Sequence, residues 1–184
     1  MKRIIFFIFL IISELGHTQS NQKFSMGGFG GPLIQVGESK NSALIWMGGG
    51  GGCVFQKHYF IGGFGENTIN NLKASGTNSG SHLELNHGGF WIGYILPISG
   101  KSNIFLSGQI GFGSSSQVKN AGISYYSNYT VVKPCAEFEY VFTNYFKIGT
   151  GLSWSFFNGA DLPYWSDNSL SGFNIMLSFK FGWF

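Results

Sequence analysis

Along most of this chain, side chains alternate in bulk with a period of two, and the bulky set is the one that normally hides. In the last segment Phe173, Ile175, Leu177, Phe179, Phe181 and Trp183 share one face, while Asn174, Met176, Ser178, Lys180 and Gly182 share the other. Phe146, Ile148, Thr150, Leu152, Trp154 and Phe156 oppose Lys147, Gly149, Gly151, Ser153 and Ser155 in the same way. Ile104, Leu106, Gly108, Ile110 and Phe112 oppose Phe105, Ser107, Gln109, Gly111 and Gly113. Val132, Pro134, Ala136, Phe138, Tyr140 and Phe142 oppose Lys133, Cys135, Glu137 and Glu139. Successive strand residues point to opposite faces, so this pattern reads as β-strands with one greasy and one small or polar side.

A soluble sandwich or barrel turns its greasy side inward. Two features favour the inverted arrangement here. The polar faces are mostly Gly and Ser with isolated charges, whereas a solvent face is rich in charge. Only 10% of the 184 residues are charged, against about 25% in an ordinary soluble domain. The greasy faces would also overfill the inside of an eight-stranded barrel, which is just wide enough for side chains. Small residues therefore suit the interior and large ones suit lipid.

Segments of this kind fall at 23–37, 42–55, 58–67, 81–97, 102–115, 128–142, 145–157 and 171–183, which predicts an all-β, eight-stranded antiparallel up-and-down transmembrane barrel over residues 20–184. Short turns are expected at Gln56-Lys57, Ser99-Gly100-Lys101 and Thr143-Asn144. Longer polar loops are expected at 67–81, 115–128 and 158–171, with an intermediate link from Gly37 to Asn41. Short turns on one rim and longer loops on the other are characteristic of outer-membrane barrels, and an even strand number puts both ends on the short-turn, periplasmic rim. Residues 1–19 read as a cleaved signal peptide: Lys2 and Arg3 precede the apolar run Ile4–Ile12, too short to span a bilayer, with cleavage expected near residues 18–20. Trp46, Tyr59, Phe60, Trp91, Tyr94, Tyr140, Tyr145, Phe146, Phe156, Phe157, Phe181 and Trp183 fall near strand ends, where interfacial aromatic girdles sit.

The leader, the alternating segments and the final FNIMLSFKFGWF resemble the small eight-stranded outer-membrane β-barrel proteins. The glycine-rich stretches Gly27–Pro32 and Gly48–Gly52 are similar to those of Bacteroidetes-type members. The resemblance covers about residues 23–184 and implies the barrel fold more than any function. It also implies that a terminal aromatic helps the barrel-assembly machinery recognise the last strand. Phe184 holds that place, although the outward face runs through Trp183, one position off the usual register.

Lys133, Glu137, Glu139, Lys147 and Lys180 fall on inferred inward faces, where opposite charges should pair into a polar network that plugs the lumen. A narrow ion path through the same residues is the alternative. Glu137 and Glu139 share a face, as an acid–base pair can, without further support for catalysis. Gly48–Gly52 lacks the helix and the Gly-Lys-Ser/Thr ending of a phosphate loop. A metal site, or the His–Ser pair of a lipid-modifying hydrolase, could be imagined around Ser81, His82 and His87, but His82 sits near a loop with no identifiable carboxylate to orient it, and the group reads as scattered polar residues at the outer rim. Cys53 and Cys135 fall on the second and sixth strands, too far apart to bond, and are expected to be unpaired. Tyr125, Tyr126, Tyr129, Tyr164 and Trp165 give the outer loops adhesive aromatic character. The expectation is a non-enzymatic barrel in an outer membrane, with no catalytic, metal or cofactor site. Its partners are outer-membrane lipid, the assembly machinery and an extracellular ligand or protein. Scattered Lys and Arg imply no nucleic acid.

Overall fold

A computed structural model describes residues 25–39, 42–70, 82–119, 122–160, 162 and 165–184. The expected signal peptide, the tip of the 67–81 loop, Ser81 and Tyr164 lie outside these. Eight strands run in chain order: β1 (Met26–Ser39), β2 (Ser42–Phe55), β3 (Tyr59–Thr68), β4 (His82–Ser99), β5 (Ser102–Lys119), β6 (Gly122–Thr143), β7 (Phe146–Asn158) and β8 (Gly172–Trp183). Each pairs antiparallel with the next, and β8 returns to β1 with Ile34 opposite Leu177, closing the barrel. One helical turn, α1 (Asp167–Leu170), lies in the β7–β8 connection.

The inverted alternation holds. Phe90, Ile92, Leu106, Ile110, Phe112, Val132, Phe138, Leu152, Trp154, Phe156, Phe173 and Ile175 are all exposed. Cross-strand register joins them into continuous rows, such as Phe90–Ile110–Val132–Phe156. So large a contiguous apolar surface is not left to water.

The interior departs from expectation in one respect. It was expected to hold small residues, yet Phe29, Phe60, Phe64, Trp91 and Phe105 fill its short-turn half, and Trp46, Tyr129, Val131 and Phe157 its loop half. Trp46, Phe60, Trp91 and Phe157 are therefore core residues and not parts of an outer girdle. Room for them comes from glycine on the facing strands. A Cβ on Gly50 would sit 3.0 Å from two ring atoms of Trp91, one on Gly93 would press into the ring of Phe105, and one on Gly111 would lie 3.1 Å from Phe64. Gly48–Gly52 is thus an interior step of β2, where bare backbone admits large rings from across the lumen.

The connections also differ. The 115–128 segment is no loop: β5 and β6 continue as a hairpin, Gln117 pairing with Tyr125. β3 leaves β4 at Asn67 opposite Asn86, and β7 leaves β6 at Asn158 opposite Thr130. Among the described residues, β4, β5 and β6 continue as a three-stranded sheet past these last pairs, by about 25 Å along β6 at roughly 3.4 Å per residue. Beyond β7, the described residues 159–160, 162 and 165–171 lie over the barrel mouth. Asp167 accepts hydrogen bonds from the backbone N–H of Gly159 (3.0 Å) and Ala160 (2.8 Å), and Ala160, Leu162, Trp165 and Leu170 join the upper core. Trp165, expected on the surface, is only 3% exposed. The mouth is lined by Leu44, Leu83 and Leu85, and an indole from the connection can bury itself there instead of remaining in water.

Candidate functional site: a charged lumen and a protruding sheet

All five charged residues placed inward from the alternation are buried, and they separate into two tiers. Nearer the short turns, Lys180 Nζ lies 2.8 Å from Glu137 Oε1 and 2.6 Å from Glu139 Oε1, and Lys147 Nζ lies 3.7 Å from Glu139 Oε2. Ser178 donates a short hydrogen bond to Glu137. Rings complete this tier: Lys180 Nζ stands 4.1 Å from the centre of Phe105, and Lys147 Nζ 3.7 Å from that of Phe184. Cations over aromatic faces gain from the ring quadrupole, most where water is excluded.

The second tier is built on Glu66, which sequence reasoning missed. Lys133 Nζ lies 2.5 Å from Glu66 Oε2, Gln35 Nε2 donates to Glu66 Oε1 at 2.6 Å, and Ser153 Oγ donates to Gln35 Oε1 at 3.2 Å. His87 Nε2 stands 3.5 Å from Glu66 Oε2, while its Nδ1 is 3.1 Å from Tyr129 Oη. Tyr129 Oη donates to the carbonyl of Asn86 at 3.0 Å. Glu66 was hidden by the glycines around it, but counting in twos from Phe60 through Gly62 and Phe64 reaches it. The same count from Leu83 through Leu85 places His87 inside. His87 and Tyr129, expected at the outer rim and in a loop, are both lumen residues.

Among the described residues, three carboxylates (Glu66, Glu137, Glu139) thus face three ammonium groups (Lys133, Lys147, Lys180) inside the barrel, each side chain at most 5% exposed. Such balance makes burial tolerable, because each charge keeps a partner of opposite sign, with added hydrogen bonds at Glu66 and Glu137 and the Phe184 ring at Lys147. The network links β1, β3, β4, β6, β7 and β8 across the bore. Contrary to the expectation from sequence, His82 and His87 both have a carboxylate beside them. His82 and His87 leave β4 on opposite faces, His82 pairing at the surface with Glu84 (3.0 Å) and His87 turned inward. The carboxylate against His87 is Glu66, itself held by Lys133 and Gln35.

Cys53 points out from β2 and Cys135 lies inside on β6, both free. Trp183 points outward, 80% exposed, while Phe184 turns in beside Phe29, with ring centres 5.9 Å apart. At the opposite rim Tyr125 and Tyr126 are exposed on the protruding part of β6, on opposite faces of that sheet.

No family model matches the sequence, and no curated protein does. Solved structures do match in shape. Neisserial surface protein A superposes over 88% of this chain and 99% of its own, with a TM-score of 0.60 at 11% identity. The fold is that of the small outer-membrane barrels. Ail, the attachment invasion locus protein of Yersinia pestis, matches over 86% of this chain and 97% of its own, with a TM-score of 0.52 at 8% identity. A second Ail structure, in complex with the heparin analogue sucrose octasulfate, matches over 88% of this chain and all of its own, with a TM-score of 0.53 at 10% identity. At these identities the likeness is one of fold.

Proposed function

We propose that this chain is a non-enzymatic integral protein of a bacterial outer membrane that works by surface binding, its lumen closed and its β4–β6 sheet extended beyond the membrane. The protruding sheet carries this reading. Its β6 edge, from Gly122 to Asn128, lies beyond the last β7 pair, Thr130 with Asn158, and its two faces present Tyr125 and Tyr126. Unpaired strand edges and exposed tyrosines are both adhesive: an edge offers main-chain hydrogen bonds, and tyrosine offers area at low entropic cost. Ail, of the same fold, is named the attachment invasion locus protein; what this barrel attaches to would be an extracellular ligand or protein.

Two measurements test the proposal. In planar bilayers the reconstituted protein is expected to show no steady discrete openings, because paired charges and rings occupy the bore; such openings would favour the narrow-channel reading. Bacteria displaying the protein are expected to adhere to epithelial monolayers, and Tyr125→Ala with Tyr126→Ala to reduce adhesion about tenfold or more, the usual cost of truncating aromatic anchors. Adhesion unchanged by the double substitution would remove the sheet from the function.

A further inference from the structure

The outward face of β4, β5 and β6 changes character within a single row of residues. Phe90, Ile110, Val132 and Phe156 form the uppermost fully apolar row. One step towards the loops stand Phe112, Thr130 and Asn158; the next row is Asn86, Ser114 and Asn128; the one after is Glu84, Ser116 and Tyr126. In this transition lies an open groove of about 590 Å³, with Phe112 and Asn158 at its lower end, Tyr126 at its upper end, and Asn86, Ser114 and Asn128 between them.

The groove's chemistry is specific. Its outward-facing lining carries amides, hydroxyls and the rings of Phe112 and Tyr126, with the inward-turned Tyr129 behind them, and none of its lining residues is charged. Ser114 Oγ donates to Asn86 Oδ1 at 3.1 Å, which orients that amide and leaves its two N–H donors on the other edge. The nearest charged row member, Glu84, is a carboxylate, which repels phosphate or sulfate. A ligand suited to neutral donors and acceptors between aromatic rings is a sugar, with hydroxyls around its rim and C–H bonds on its faces. The groove also opens directly onto the apolar band, so its occupant can lay hydrocarbon along Phe90, Ile110 and Val132.

We propose that this groove seats the saccharide headgroup of a membrane glycolipid whose acyl chains lie on the barrel wall beneath it. The proposal rests on the outer-membrane reading above. Its height is set by register: the sugar-binding rows begin where the lipid-facing rows stop. The amides of Asn86, Asn128 and Asn158 select the headgroup, and Phe112 and Tyr126 bracket it.

The full-length mature barrel is placed in phosphatidylcholine nanodiscs containing a minor fraction of either galactosyl diacylglycerol or phosphatidylglycerol with the same acyl chains. Lipid retained on the protein is then counted by native mass spectrometry. The galactolipid is expected to be retained about tenfold more, and combined Asn86→Ala, Asn128→Ala and Asn158→Ala to abolish that preference, each lost hydrogen bond being worth a factor of a few. Phe112→Ala supplies a second variant should the triple one fail to fold, and Lys101→Ala in a short turn at the opposite rim is the control. Equal retention of the two lipids, or a preference for phosphatidylglycerol, overturns the proposal. Displacement by free galactose as effective as by galactolipid overturns the lipid-anchored source. Failure to insert into nanodiscs overturns both this inference and the outer-membrane reading, whereas insertion without headgroup preference overturns this inference alone.

Discussion

Lys133 and Glu66 show how a charge is made tolerable at the centre of this molecule. The ammonium has Glu66 at 2.5 Å and the ring of Phe64 at 5.2 Å from its centre, while the carboxylate has Lys133 and Gln35 on separate oxygens. Each group is held by the other, so removing one strands its partner. Glu66→Gln is expected to destabilise the barrel by about 3–5 kcal/mol, the usual cost of breaking a buried ion pair from one side. The double variant Glu66→Gln with Lys133→Met should recover much of that loss, because no unpaired charge then remains. Urea titration in lipid vesicles measures both. A single variant as stable as the double would mean that Lys133 finds another counter-charge in the bore.

The strands of this barrel are matched in pairs, glycine on one facing a ring from another. Gly93 on β4 meets the side chain of Phe105 on β5: a Cβ there would come within 2.6 Å of Cζ. Gly93→Val should cost about 1–3 kcal/mol by overpacking, and adding Phe105→Leu should return part of it. Thermal loss of the compact, gel-fast form would register both changes; additive losses would refute the pairing. The same matching explains why β1, β2 and β3 are glycine-rich. Gly30, Gly51 and Gly63 pair in one cross-strand row, and neighbouring interior glycines leave space for Phe29, Phe60 and Trp91 to cluster, with Phe29 and Phe60 stacked at 4.6 Å and Phe60 edge-on to Trp91 at 5.0 Å.

For the molecule as a whole, the deciding quantity is where the outward face stops being apolar. Ile110 lies inside the band and Ser116 above it, on the same strand and the same face. Ile110→Arg is expected to reduce folding stability in vesicles by about 2–4 kcal/mol, and Ser116→Arg by about 0–1 kcal/mol, following the depth dependence of lipid-facing arginine. Equal effects at the two positions would mean that the band does not end where the rows indicate. The balanced interior belongs to this scale too. Among the described residues three acids oppose three lysines inside the cylinder, and Ala160, Leu162, Trp165 and Leu170 pack with the upper core at its mouth.

Side-chain alternation alone determined that this chain makes strands, how many there are and which face of each is greasy. From that it also placed Lys133, Glu137, Glu139, Lys147 and Lys180 inside, because in a strand the direction of a side chain follows from parity. Parity fails where glycine removes the side chains that mark it, which is why Glu66 escaped notice on β3. It is equally silent about distance, and only closure of the barrel brought Glu66 of β3 against Lys133 of β6, or Gly50 of β2 beneath Trp91 of β4. Two further features came from tertiary structure: the extension of β5 and β6 into a standing hairpin, and the burial of Trp165 in the mouth. Polar stretches such as 115–128 and 158–171 look alike as sequence. One finds strand partners and the other an apolar opening to fill, and those partners exist only once the chain has closed on itself.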